Sequence, residues 1–238
     1  SEPMIIEEMF NGEMRKMIVQ VSRNGHVYAL DRMNGDFLYA GEYTRVNWAE
    51  RDERGKPVLK QELYEPADTM VFPGLYGGKN WPPASYSPDT HMLYIPTTEW
   101  GTRFIRRDGE GRPGTMDLGG IPQFDTTGTG WVVAFDMLSG EIAWQKEMPG
   151  NFNWAGTLST GGGLVFSGAP DGHVYAMNDE TGEVLWKFQT GSGIYAPPTS
   201  FTIDGKQYLG VASGTRNPVT REGVATGIAT GNYILFSL

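Results

Sequence analysis

The sequence contains no cysteine in 238 residues and only three histidines. Without cysteine the chain can form no disulfide, thiolate nucleophile, zinc–thiolate site or covalently attached c-type haem. His26, His91 and His173 are widely separated and form no metal-binding motif. His26 and His173 occupy the same place in two repeats, which favours a structural role for both. These absences exclude thiol chemistry from the chain, but they leave its compartment open.

Long apolar runs and an excess of basic residues are also missing. The sequence has no run of eighteen apolar residues, so we predict no membrane-spanning segment. The formal net charge is -9 at pH 7, whereas nucleic-acid binding requires a basic stripe. Sustained helical spacing of apolar residues is absent, and 33 glycines with 15 prolines favour frequent turns. The chain is therefore predicted to be an all-β protein that binds no nucleic acid.

What the sequence does contain is a cassette that occurs three times. The copies read GHVYALD at 25–31, GWVVAFD at 130–136 and GHVYAMN at 172–178. In each copy, alternating side chains predict a strand, the final Asp or Asn opens a turn, and a second glycine supplies the positive φ of that turn. An aromatic residue follows on the next strand, where it can pack between adjacent sheets. The second glycines and the aromatic residues are Gly35, Gly140, Gly182, Tyr39, Trp144 and Trp186.

The spacing of the cassettes predicts the domain organisation. The second and third copies are 42 residues apart, which matches one four-stranded propeller blade. The first and second are 105 residues apart, with room for another strand pair near 92–96 and for insertions at about 48–68 and 103–129. Both insertions are rich in glycine, proline and charge, and we predict loops there. Residues 1–238 then form about four blades, some incomplete. Because open blades leave bare edges, we expect a small closed propeller or part of a larger one.

Four segments carry a family resemblance. WAGTLSTGGGLVFSGAPDGHVYAMNDETGEVLWKFQTGSGI at 154–194 is similar to the C-terminal repeats of the pyrroloquinoline-quinone (PQQ)-dependent alcohol dehydrogenases, the quinoproteins. SRNGHVYALDR at 22–32, GGKNWPP at 77–83 and DGKQY at 204–208 follow in the family's order. The whole chain thus resembles the C-terminal portion of these enzymes. The resemblance implies about four blades of an eight-bladed β-propeller in which the cassette is the tryptophan docking motif.

The resemblance also implies a chemistry and a set of cofactor-binding residues. In this family PQQ lies near the propeller axis with a calcium or lanthanide ion, alcohols are oxidised to aldehydes by hydride transfer to the quinone, and electrons leave to a cytochrome c-type acceptor in the periplasm. Three positions match family residues. Arg23 in SRNG would lie near the quinone oxygens, Asn80 in KNW would hydrogen-bond PQQ, and Trp154 would lie at the cofactor edge.

The rest of the family's site falls outside this sequence. The catalytic aspartate, the metal-binding glutamate and asparagine and the tryptophan stacked beneath PQQ lie upstream of the matching region, so we assign no catalytic residue and no metal ligand here. GTRNP at 214–218 departs from relatives that carry a cofactor-contacting tryptophan there. We expect the chain to supply one side of the pocket, to need the rest of the propeller in the same or a second chain, and not to oxidise alcohol alone.

Two other functions fit the repeats. A non-catalytic β-propeller scaffold with PQQ-like repeats would bind other proteins, as the similar repeats of an outer-membrane assembly lipoprotein do, and a PQQ-dependent sugar or aldose dehydrogenase would use the same residues. The joint presence of Arg23, Asn80 and Trp154 favours a cofactor site over a scaffold. The identity of the alcohol, the choice between calcium and lanthanide, and the oligomeric state stay open.

Overall fold

The computed structural model describes residues 2–60, 69–106, 114, 120–214 and 231–237. Within these ranges the chain is all-β, with antiparallel pairing throughout. No helix in the described part of the chain is long and apolar enough to cross a bilayer. The predicted all-β class is therefore confirmed.

Four sheets form the blades. The first contains β1 (Met4–Phe10), β2 (Glu13–Val21), β3 (His26–Asp31) and β4 (Phe37–Glu42), in that order. The second contains β8 (Ser85–Ser87), β9 (Met92–Glu99), β12 (Thr129–Asp136) and β13 (Glu141–Met148). The third contains β14 (Thr157–Thr160), β15 (Leu164–Gly168), β16 (His173–Asn178) and β17 (Val184–Gln189). The fourth contains β18 (Thr199–Ile203), β19 (Lys206–Ser213) and β20 (Asn232–Ser237).

The described parts of the two insertions contain short strands joined by turns, and not loops alone as predicted for about 48–68 and 103–129. β5 (Ala49–Arg51) pairs with β6 (Pro57–Leu59), and β10 (Thr102–Arg106) pairs with both β7 (Met70–Val71) and β11 (Gly120–Phe124). The polar residues mark the turns between these short strands. Asp52, for example, accepts hydrogen bonds from the backbone of Arg54 and Lys56. Residues 61–68, 107–113 and 115–119 of the insertions lie outside the described residues.

Apolar side chains fill the space between successive sheets. Strand alternation sends Val133 and Phe135 of β12 toward the first sheet, while Val132 and Ala134 face the third. A third core lies between the third and fourth sheets, around Phe166 of β15. The second and third sheets each pack against a neighbouring sheet on both faces, so their central strands carry buried apolar residues on both sides.

The cassette turns form as predicted in all three copies. The side chains of Asp31, Asp136 and Asn178 each accept a hydrogen bond from the backbone N–H two residues later. The second glycines have φ of +82°, +73° and +70°, which side chains disfavour. These φ values explain why glycine recurs at the turn.

The cassette aromatics join neighbouring blades. Tyr39 Oη donates to the Met137 carbonyl at 3.0 Å, and Trp144 Nε1 donates to the Asp179 carbonyl at 2.9 Å. Both carbonyls belong to the residue after the Asp or Asn that opens the next cassette turn. The Trp144 ring also lies so close to Gly182 that a Cβ there would be 2.5 Å from it. Tyrosine and tryptophan thus perform the same docking contact.

A candidate cofactor site at the start of the inner strands

The three predicted site residues lie at one end of the blades. Arg23 is in the turn between β2 and β3, Asn80 precedes β8, and Trp154 precedes β14. β8 and β14 touch along one edge, where Ser85 Oγ is 3.2 Å from Thr157 Oγ1. The N-terminal ends of these two strands therefore bring Asn80 and Trp154 into the same region.

The loop of residues 74–81 contains the KNW motif at its end, and we call it the KNW loop. It contacts Arg23. The Arg23 guanidinium donates to the Leu75 carbonyl at 2.6 Å, and the Arg23 carbonyl accepts from Gly78 N at 2.9 Å. Gly77 has φ +76°, and a Cβ there would lie 2.8 Å from Arg23 Cβ. A side chain at Gly77 would therefore separate Arg23 from the loop.

Asn80, within the KNW loop, and Trp154, outside it, both contact Tyr76. Asn80 Nδ2 donates to the Tyr76 carbonyl at 3.0 Å, which fixes the side-chain amide over the loop. The Tyr76 and Trp154 rings pack edge to face with centroids 5.8 Å apart. Trp154 Nε1 is buried and has no hydrogen-bond partner among the described residues. Buried indole N–H groups usually find a partner, so this one marks a place for an acceptor.

Tyr76 also belongs to a larger aromatic cluster. Its ring stacks on Phe124 at 4.9 Å and packs edge-on against Phe152 at 5.4 Å and Trp100 at 5.8 Å. Such pairs hold their rings in defined relative orientations. The cluster gives the loop a rigid apolar support beside Trp154.

Lys79 is a charged group of this loop that the sequence analysis did not single out. Its side chain is 1% exposed, and Nζ has no hydrogen-bond partner in the described part of the chain. Glu2 Oε1 lies 3.8 Å from Nζ. Burial lowers the pKa of Lys79, and the negative charge of Glu2 only partly opposes this effect. The one sequence signal for Lys79 was its place within GGKNWPP.

The chemistry of these side chains fits PQQ, an acceptor-rich molecule with quinone oxygens and carboxylates. Arg23 and Lys79 supply cations, while the Asn80 amide and Trp154 Nε1 supply neutral donors. Among the described residues no group of three His, Asp or Glu side chains is arranged to hold a metal ion. In the GTRNP segment, 215–218 lies outside the described residues.

Comparison with known proteins identifies relatives with this architecture. Residues 126–209 match the family model of the PQQ glucose/ethanol/alcohol dehydrogenase β-propeller domain. The chain is 36% identical to quinoprotein ethanol dehydrogenase of Pseudomonas putida over 222 residues, covering 86% of this chain and 35% of that protein. It is 34% identical to quinohemoprotein alcohol dehydrogenase of Comamonas testosteroni over 237 residues, covering 90% of this chain and 32% of that protein. The chain thus spans about a third of the length of these relatives.

Solved structures agree with the sequence comparison. A quinohemoprotein alcohol dehydrogenase of Pseudomonas putida HK5 superposes with a TM-score of 0.80 at 30% identity, covering 90% of this chain and 34% of that one. A europium-containing methanol dehydrogenase gives a TM-score of 0.82 at 28% identity, covering 100% and 47%. The predicted propeller architecture is therefore confirmed. By its cassettes, its fold and these similarities, the chain resembles the C-terminal part of the PQQ β-propeller of quinoprotein alcohol dehydrogenases.

Proposed function

We propose that this chain supplies one side of the PQQ pocket in a dehydrogenase that oxidises alcohols to aldehydes. The observation that carries the proposal is the KNW loop, which contacts Arg23, contains Asn80 and packs against Trp154 through Tyr76. Three residues far apart in sequence are thereby connected through one loop, which supports the proposal. PQQ, when bound, supplies the hydride acceptor of the reaction.

In this proposal the residues of this chain bind PQQ and polarise its acceptor oxygens. Arg23 is exposed in this chain, and in the proposal its guanidinium stabilises negative charge on acceptor oxygens once the rest of the pocket excludes water, because a positioned cation is then worth more than in bulk water. Asn80 offers one amide edge to the ligand while its Nδ2 is held by Tyr76. Trp154 provides an apolar surface and an unpaired N–H. None of these groups is a general base, so the base belongs to another part of the pocket.

We further propose that the catalytic aspartate and the ligands of a calcium or lanthanide ion are contributed by the rest of the propeller, in the same or a second chain. In this proposal the isolated 238-residue chain does not oxidise alcohol. Dye reduction by the isolated chain with added PQQ, calcium and ethanol tests this division, and robust turnover would refute it. A cytochrome c-type acceptor and a periplasmic location complete the proposal. Reduction of cytochrome c by the holoenzyme and fractionation of native cells test these two points.

The pocket itself is tested by PQQ binding to the protein assembled with the rest of its propeller. Trp154→Phe keeps an aromatic ring but removes the N–H. Because one hydrogen bond is lost, we expect the dissociation constant for PQQ to rise by roughly 2- to 10-fold. Trp186→Phe is the matched control, because Trp186 packs against Phe188 and Phe236 in another part of the fold. Equal effects of the two substitutions, or no PQQ binding by the unmodified protein, would contradict the proposal.

A further inference from the structure

The positive charge of the buried Lys79 ammonium is not neutralised at hydrogen-bond distance by any described residue. The ammonium is buried, and its ion pair with Glu2 spans 3.8 Å, which is beyond hydrogen-bond distance. The Glu2 side chain is 54% exposed, so water screens that carboxylate. A buried ammonium without acceptors is costly to the folded state. Among the described residues, no acceptor explains why a lysine stands here.

The backbone around Lys79 is nevertheless held firmly. The Lys79 backbone hydrogen-bonds to Tyr43, which is fully buried, and Gly78 O accepts from Thr98 N at 2.7 Å. A Cβ at Gly78 would meet Thr44 at 2.7 Å and Tyr43 at 2.8 Å, so the loop fits closely against the first blade. The backbone that carries the Lys79 side chain is thus fixed in advance, which lowers the ordering cost of binding.

Three further polar atoms beside the same loop also have no partner in the described residues. Trp100 Nε1 and Trp154 Nε1 belong to rings that pack on Tyr76, and Thr98 Oγ1 belongs to the residue whose backbone N–H bonds Gly78. Thr98 and Trp100 are both largely buried. Native proteins seldom leave buried donors unsatisfied. Four such atoms around one loop favour an acceptor-rich ligand at the site.

We propose that Lys79 is a further binding residue of this site, whose ammonium pairs with a carboxylate of the bound ligand. The inference rests on the proposed function, under which the ligand is PQQ. Lys79 thereby adds a cation to a site that the sequence analysis built from Arg23, Asn80 and Trp154. The competing explanation is an ion pair between Lys79 and Glu2 that only joins the start of the chain to the loop.

The test compares PQQ with its trimethyl ester, in which neutral ester groups replace the carboxylates. Both are used in binding titrations of the protein assembled with the rest of its propeller. Lys79→Met removes the charge at nearly constant length, and we expect PQQ binding to weaken by about 10- to 100-fold, as for loss of a charge-assisted hydrogen bond. Ester binding is expected to change little. Lys79→Gln provides a second neutral variant if the methionine variant folds poorly. Lys187→Met removes an exposed lysine of β17 and is expected to bind PQQ like the unmodified protein.

Ligand-free stability separates the two roles of Lys79. If the ammonium serves the ligand, Lys79→Met should melt at the same or a higher temperature than the unmodified protein, because a buried unpaired charge is removed. Unchanged PQQ affinity in the neutral Lys79 variants would overturn the inference and leave the proposed function intact. Unchanged affinity with a lower melting temperature, matched by Glu2→Gln, would identify a structural ion pair instead. Failure of the unmodified protein to bind PQQ would overturn both.

Discussion

The three cassette glycines form a natural series for measuring blade docking. All have positive φ, so alanine at any of them costs about 1–2 kcal/mol from the left-handed backbone. Their surroundings differ. A Cβ at Gly35 meets nothing within 4 Å, a Cβ at Gly140 lies at an ordinary 3.6 Å from Tyr39, and a Cβ at Gly182 lies 2.5 Å from Trp144. We therefore expect similar losses for Gly35→Ala and Gly140→Ala.

Gly182→Ala should be destabilised further, because the Trp144 ring must move. Overpacking of a fitted contact costs about 1–3 kcal/mol, and displacement of the ring also stretches the 2.9 Å hydrogen bond to the Asp179 carbonyl. The expected total is about 2–5 kcal/mol, against about 1–2 for Gly35→Ala. Both variants replace a glycine of positive φ with alanine, so the backbone penalty is similar in the two. The difference between their losses of unfolding free energy therefore measures the disturbed contact between Trp144 and Gly182.

Urea unfolding at neutral pH measures the difference, with unchanged m-values as the criterion that the denatured state is the same. Trp144→Phe in the Gly182→Ala background completes a double-mutant cycle. We expect Trp144→Phe to lower the free energy of unfolding less in the Gly182→Ala variant than in the unmodified protein, because the smaller ring relieves the clash. Equal losses for the three glycine variants, or additive effects in the cycle, would refute the argument that Trp144 packs on Gly182.

Two further predictions concern the first blade. Burial lowers the pKa of His26 from 6.5 to about 4, so the folded state keeps this ring neutral while the unfolded state takes up a proton. The free energy of unfolding should then fall by up to about 3 kcal/mol as the pH drops from 6.5 toward 4, and His26→Phe should flatten this slope in urea titrations. Burial raises the pKa of Glu8, but hydrogen bonds from Tyr86, the Met9 backbone and His91 outweigh it and hold the pKa below its ordinary value. Glu8→Gln should cost about 2 kcal/mol in unfolding experiments at pH 7; a cost below about 0.5, the value expected of an exposed surface substitution, would contradict this assignment.

The cassette made much of the fold predictable because its signals are local. The turn of Asp31 and Gly35 needs only the backbone and one side chain, and the structure forms it as the spacing indicates. The docking of Tyr39 on Met137 joins residues 98 apart. The sequence predicted an aromatic packing role there, but not that the tyrosine hydroxyl would replace the indole N–H.

The insertions were harder to interpret, because three-residue strands carry too little alternation to separate them from loops. β5 and β6 pair across a turn whose glycine, Gly55, fits against the Ala40 carbonyl of the first blade. Contacts between an insertion and a blade are long-range, and no local spacing encodes them.

Local motifs predicted part of the candidate site, whereas its long-range contacts could not be predicted from the sequence. The resemblance predicted Arg23, Asn80 and Trp154 as site residues, and that assignment stays a prediction. The contacts that connect these residues run through Tyr76 and Leu75, which have no distinctive local pattern. The loop backbone at Gly78 and Lys79 is held by hydrogen bonds to residues 43 and 98, from two different blades. Only the folded structure shows that the Lys79 ammonium is buried and has no hydrogen-bond acceptor among the described residues, which makes Lys79 a binding candidate.

The fold separates the groups that hold the blades together from those of the candidate site. Leu164 pairs with both Thr160 and Asn178, so the cassette turn at Gly182 lies level with the end of β14, whereas Trp154 precedes its start. In the first blade the six residues of β3 separate Arg23 from the turn at Asp31, about 17 Å of extended chain. Gly182→Ala should therefore lower the unfolding midpoint while leaving the PQQ dissociation constant of the folded protein within about 2-fold, since distant perturbations combine nearly additively. A large loss of affinity in that variant would mean that docking strain reaches the KNW loop through the shared core.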